Sequence, residues 1–174
     1  MDNLSRQRRS IRFRGYDYAQ AGVCFVTVCV EQRLALLGNF TDNQLWLSES
    51  GKMVEALWLH LPSRFPGLAL DHYVVMPNHF HGIVALEMSS ISDRATTRVA
   101  PTLGDIVGAW KSLTTNSYIK GVQDSGWPHF PSRLWQRNYY ERVVRTEREL
   151  DAIREYIALN PMRWNQDSEN PEHA

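Results

Sequence analysis

Cysteine is scarce: Cys24 and Cys29 are the only two in 174 residues. On one strand their separation puts them on opposite faces, where they cannot bridge each other. That sets aside a disulfide-stapled secreted scaffold and fits a reducing compartment. Long apolar runs are also lacking, and none reaches bilayer-spanning length. The opening Met1-Asp2-Asn3-Leu4-Ser5-Arg6 carries no apolar core of a signal peptide. A cytoplasmic protein with no membrane partner is expected. Charge of one sign is missing too: 19 Lys and Arg balance 19 Asp and Glu. Zero net charge argues against strong sequence-independent duplex binding, which comes with an overall basic domain. There is no internal repeat.

What is present suits one folded domain over 1–174. Hydrophobic residues make up 43% and charged residues 22%, too apolar for a disordered chain, and the length can bury a real core. Arg6, Arg8, Arg9, Arg12 and Arg14 cluster at the start. Residues 1–14 therefore read as a basic arm, able to meet phosphate or simply be solvated. Acids gather at the other end, where 165–174 read as a disordered tail.

Patterning gives a definite order of elements. Gly22 to Val30 is rich in β-branched and aromatic residues and predicts a buried strand. Leu34 to Leu47 is broken by Gly38-Asn39 and Thr41-Asp42-Asn43, which predicts turns or a small hairpin. Ser48 caps a helix whose apolar positions run from Met53 to Leu61 and which Pro62 ends. Leu68 to Met76 is a strand, Pro77-Asn78 a turn or bulge, and His79 to Leu86 a strand. Glu87 to Ala100 reads as a loop, Thr102 to Ile119 as a helix, Gly121 to Arg133 as a loop and Leu134 to Arg145 as a strand. Thr146 opens a last helix with Glu149 in a capping box, ending near Asn160 because proline follows. The first six elements form the β-α-β-β-α-β split unit, a ferredoxin-like α+β sandwich with an extra C-terminal helix.

The run Val75-Met76-Pro77-Asn78-His79-Phe80-His81-Gly82-Ile83-Val84-Ala85 is the most telling. On a strand His79 and His81 share a face, and two adjacent imidazoles suit one divalent metal ion; two hydrogen-bonded structural histidines are the plainer alternative. The other histidines form no constellation. Far along the chain come Trp135-Gln136-Arg137-Asn138-Tyr139-Tyr140-Glu141 and Tyr156-Ile157-Ala158-Leu159-Asn160-Pro161.

Together with Arg9-Ser10-Ile11-Arg12-Phe13-Arg14-Gly15-Tyr16-Asp17-Tyr18, these strings resemble the single-tyrosine HUH transposases, and within them the REP-associated tyrosine transposases. The resemblance runs from about Arg8 to about Trp164. It implies that His79 and His81 bind Mg2+ or Mn2+ and that Tyr156, at the family's helical tyrosine position, attacks a single-stranded DNA phosphate. Taken as residues alone, Tyr156 borders an apolar stripe and could be packing, and Tyr139 and Tyr140 are rival nucleophiles. Related transposases carry a glutamine as third ligand where this chain has Asn160, four residues after Tyr156. A carbonyl ligand suits a hard cation; a helix cap is the other reading of Asn160, and Glu141 is the substitute ligand. Trp135, Arg137, Arg142 and Arg145 could stack on bases or pair with phosphates, though Trp135 equally suits a core.

The implied activity is a metal-dependent single-stranded DNA endonuclease and strand transferase acting on hairpins or palindromes, as monomer or homodimer. The rivals are a non-cleaving DNA-binding regulator on the same fold and a nuclease using activated water.

Overall fold

The computed structural model describes residues 22–42, 44–86, 101–167 and 170. In chain order the elements are strands β1 (Gly22–Cys29), β2 (Gly38–Thr41) and β3 (Gln44–Leu47), helices α1 (Glu49–Leu59) and α2 (Leu61–Arg64), strands β4 (Leu68–Val75) and β5 (His79–Leu86), helix α3 (Leu103–Ser125), strand β6 (Tyr140–Val144) and helix α4 (Glu147–Leu159). A 3-10 turn, Pro161–Gln166, follows. Strands β2 and β3 pair as a separate hairpin.

The stiff β-branched residues of β1 favour extended backbone, and both faces of this strand are buried, as befits a central position. Val23 and Phe25 face one side and Val26 and Val28 the other. The main sheet has the order β4-β5-β1-β6 with every pairing antiparallel. This is the expected ferredoxin-like sandwich. Helices α1 and α3 cover one face, where Trp58 and Trp110 pack edge-on at 5.4 Å over Phe80, Val26 and Val84. A Cβ on Gly82 would lie 2.6 Å from the buried Trp58 ring, so only glycine lets that indole lie on the sheet. The other face carries α4, whose Leu150, Ile153 and Ile157 meet Val23, Phe25, Ile83 and Val144.

Ser48 caps α1 as expected, accepting from Gly51 N at 3.1 Å. Pro62 does not end helical structure outright; it occupies the first turn of α2, a position that tolerates the missing N–H. Helix α3 runs past Ile119 to Ser125, and Gly126 ends it in the left-handed region at φ 69°. Gly121 is no breaker. Trp127 folds back onto it, and a Cβ there would lie 2.2 Å from the indole. Strand β6 is shorter than expected: from Leu134 to Tyr139 the chain is irregular, touching the sheet through a single bridge from Trp135 to Val30.

Thr146 caps α4 by accepting from Glu149 N at 3.2 Å. The Glu149 carboxylate accepts from Arg145 N at 2.9 Å and pairs with Arg142, so it does not close the expected box onto Thr146. Asn160 keeps helical torsions (φ −55°, ψ −45°) despite the following proline, and the chain turns at once into the 3-10 segment. That segment includes Asn165 and Gln166, and Asn170 is buried. The packed chain thus continues past the start of the expected tail. Helix α4 is tied to β4 by a buried ion pair. Arg154 donates to Asp71 at 2.6 Å, with Asp71 at an irregularity between Leu70 and Tyr73.

Candidate active site

Two turns bring the site together at the start of β5. Val30 N donates to Asn78 O at 2.8 Å and Leu37 N to Pro77 O at 2.9 Å, which holds the Pro77-Asn78 turn against the end of β1. Asn78 Nδ2 donates to Arg33 O at 3.2 Å. Its Oδ1 therefore faces the His79 ring and lies 2.8 Å from Nδ1. An amide oxygen only accepts, so His79 Nδ1 carries the proton and Nε2 presents a lone pair. That Nε2 is buried and has no hydrogen-bond partner among the described residues.

His81 lies on the same face, its ring centroid 4.6 Å from that of His79. Thr27 Oγ1 sits 2.8 Å from His81 Nδ1, and the Tyr156 hydroxyl sits 3.3 Å from His81 Nε2. Phe25 stacks on His81 at 5.4 Å and meets Tyr156 edge-on at 6.1 Å. Tyr156 is 41% exposed, so its ring packs on the sheet while solvent reaches it.

Below the rings come Asn160 and Asp167. Asn160 Nδ2 donates to Asp167 Oδ2 at 3.1 Å, and Asp167 Oδ2 is 3.8 Å from His79 Nε2. Asn160 Oδ1 is buried without a partner among the described residues. Ligand atoms of His79, His81 and Asp167 all lie within 4.8 Å of one another. Burial pushes the pKa of His79 down to about 3, with a smaller opposing pull from the Asn160 side chain and a further push from the Arg33 charge. His81 is also pushed down to about 3, by burial first and then by His79, against Asp167. Both imidazoles are neutral near pH 7, the form that binds metal. Two imidazole nitrogens, a carboxylate and an orphaned amide oxygen fit a divalent cation.

Asp167 is the component that sequence reasoning misses. In the sequence it belongs to an acidic tail, and it reaches the site because the 3-10 turn folds the chain back. Trp164 within that turn stacks on His79 at 6.0 Å. Asn160 is brought in as expected. Glu141 is not: it pairs with Val26 and lies on the opposite face of the sheet. Tyr139 shares that opposite face, and its pKa is raised to about 12 by burial and by Glu141. Tyr140 is on the site face but one strand removed, opposite Thr27.

Trp135 is corrected from a DNA-stacking residue to a core residue. It is 3% exposed, stacks on Trp110 at 5.1 Å and donates Nε1 to Thr114 Oγ1 at 2.8 Å, so no base can reach it. Arg137, Arg142 and Arg145 are exposed, with Arg142 paired to Glu149. Arg8, Arg9, Arg12 and Arg14, with the basic arm, lie outside the described residues.

No protein-family model matches the chain. The solved structure of the REP-associated tyrosine transposase bound to a REP hairpin superposes with a TM-score of 0.56 at 19% identity, covering 87% of this chain and 73% of that one. A provisionally assigned transposase from Deinococcus radiodurans R1 superposes with a TM-score of 0.51 at 20% identity, covering 84% of this chain and 94% of that one. The fold is that of the REP-associated tyrosine transposases. An uncharacterised protein of Haemophilus influenzae is 33% identical over 174 residues, covering 92% of this chain and 91% of its own length. The chain belongs to one family with that Haemophilus protein.

Proposed function

We propose that this chain is a metal-dependent single-stranded DNA endonuclease and strand transferase, transposase-like in its chemistry. Its substrates are DNA hairpins or palindromes, and its intermediate is a 5′-phosphotyrosine on Tyr156. The observation that carries this reading is the contact of the Tyr156 hydroxyl with His81, beside two neutral imidazoles, the Asp167 carboxylate and the orphaned Asn160 oxygen. His79, His81, Asn160 and Asp167 would hold Mg2+ or Mn2+. A cation bound there supplies Lewis-acid polarisation of a phosphate oxygen.

The chain's own residues supply the rest. Phe25 and His81 orient the phenol of Tyr156 on the rigid sheet. The phenolic oxygen forms a bond to phosphorus as the bond to the 3′-oxygen breaks, leaving a free 3′-hydroxyl end. The phosphotyrosine conserves the energy of the broken bond, so a strand can be rejoined without ATP. Arg137, Arg142, Arg145 and the basic arm with Arg8, Arg9, Arg12 and Arg14 would meet phosphates. The hairpin held by the structural relative supports a hairpin partner here. No helix among the described residues is long and apolar enough to cross a membrane; we place the enzyme in the cytoplasm, as monomer or homodimer.

The test is denaturing electrophoresis of labelled hairpin DNA with an unpaired flank, incubated with Mn2+. Wild-type protein should give a shifted covalent band that maps to Tyr156. Tyr156→Phe removes one atom, so it should bind DNA normally, cut nothing and form no adduct. An adduct mapped to Tyr139 or Tyr140 would overturn the assignment of the nucleophile. Cleavage with no adduct would favour the activated-water nuclease, and binding without cleavage the regulator.

A further inference from the structure

One row of residues crosses the sheet through the site. Val74 on β4 is opposite His81 on β5, His81 is opposite Thr27 on β1, and Thr27 is opposite Tyr140 on β6. Directly opposite residues share a face, and strands lie about 4.8 Å apart, so Tyr140 stands about 10 Å from His81. The same alternation puts Val144 on this face, and Val144 is buried under α4. Helix α4 leaves Tyr140 uncovered.

Tyr140 is 64% exposed and makes no hydrogen bond or ring contact with a described residue. Strand β6 is an edge of the sheet. A single exposed aromatic is ordinary on a protein surface; what distinguishes Tyr140 is its place on a rigid edge, on the side where the nucleophile sits and within reach of a bound strand. Its chemistry indicates which partner. With β1 between it and His81, the Tyr140 hydroxyl is not in the nucleophile's position, which Tyr156 fills. What Tyr140 offers is a flat ring, with the exposed Arg137 just before the strand and, two residues further on the same face, Arg142, exposed although paired with Glu149. Rings flanked by cations on a sheet are what single-stranded nucleic acid stacks on, base to ring and phosphate to cation. Duplex offers no free base face.

We propose that Tyr140 is a stacking platform for an unpaired DNA base next to the phosphate that Tyr156 attacks. The inference rests on the proposed function and makes the substrate more specific: the flank must be single-stranded at that position, whatever its sequence.

The experiment uses the full chain and fluorescein-labelled hairpins with a short oligothymidylate 5′ flank, read by fluorescence anisotropy. Tyr140→Ala should weaken binding about 5- to 150-fold, the range of a lost base–aromatic stack. Tyr140→Phe should restore affinity, because the ring is kept. Ile119→Ala, another exposed apolar residue on α3, should change nothing. An abasic site moved along the flank should at one position weaken wild-type binding and cancel the difference between wild type and Tyr140→Ala. Unchanged affinity in Tyr140→Ala, an equal loss in Tyr140→Phe, or the same loss on a fully paired hairpin would each overturn the platform. Because binding is the readout, this outcome is separate from adduct formation. A stacking effect without a Tyr156 adduct would sink the phosphotyrosine reading and leave Tyr140 a single-strand stacking residue, and an adduct without a stacking effect would sink the platform alone.

Discussion

Asp167 changes how the site is understood one residue at a time. His79 and His81 provide nitrogen donors and Asn160 a neutral oxygen; Asp167 provides the only negative charge among the gathered groups. A hard cation favours that charge. Asp167→Asn keeps the shape and should weaken Mn2+ binding by about 10- to 100-fold or more, since even groups one step removed from a metal are worth that much. Isothermal titration calorimetry with Mn2+ reads it directly, and unchanged affinity would remove Asp167 from the ligand set. The contact with Asn78 fixes the tautomer of His79 and leaves Nε2 as the nitrogen free to ligate.

Among elements, α4 is the one whose placement matters most, because it carries Tyr156. Its apolar stripe packs on the sheet, and Arg154 adds a directional tie to β4. Burial alone would raise the Asp71 carboxyl, but hydrogen bonds from His72 and Arg154 and the Arg154 charge outweigh it and hold the carboxyl well below its usual range. Arg154→Met leaves Asp71 buried without its cation and should cost about 3–5 kcal/mol, measured by urea unfolding. Adding Asp71→Leu should recover most of the loss, because both charges are then gone. If Arg154→Met is no less stable than wild type, the pair is not holding the helix.

For the whole molecule, two buried neutral histidines make stability depend on pH. An unfolded imidazole titrates near 6.5, whereas both folded rings are pushed to about 3. Above pH 6.5 neither state binds these protons. Between 6.5 and 3 the unfolded chain binds them and the folded chain does not, so stability is lost as pH falls. The slope should approach about 1.4 kcal/mol per pH unit for each ring. Asp71 would contribute only lower, below its ordinary value of 3.8. Urea midpoints of metal-free protein from pH 8 to 5 should fall steadily below 6.5. A flat profile would mean that the rings are solvated and protonate in place.

Local signals survive in a linear sequence. The β-branched runs, the caps at Ser48 and Thr146, and the two-residue spacing of His79 and His81 depend on neighbours in the chain. From them follow the order of elements, the sandwich and the shared face of the histidines. Asn160 was legible through the resemblance, which puts a ligand one helical turn after Tyr156; taken alone it reads equally as a helix cap. The tertiary structure alone decided matters that turn on distant partners. Trp135 looks like a base-stacking residue until Trp110 and Thr114 enclose it. Glu141 looks like a ligand until its register with Val26 puts the sheet between it and the histidines. Gly121 looks like a break until Trp127 lies on it. Asp167 looks like a solvated acid until the turn through Pro161 carries it beneath His79. Spacing of two, three or four residues encodes a face, but which distant groups meet across a buried interface is set by packing.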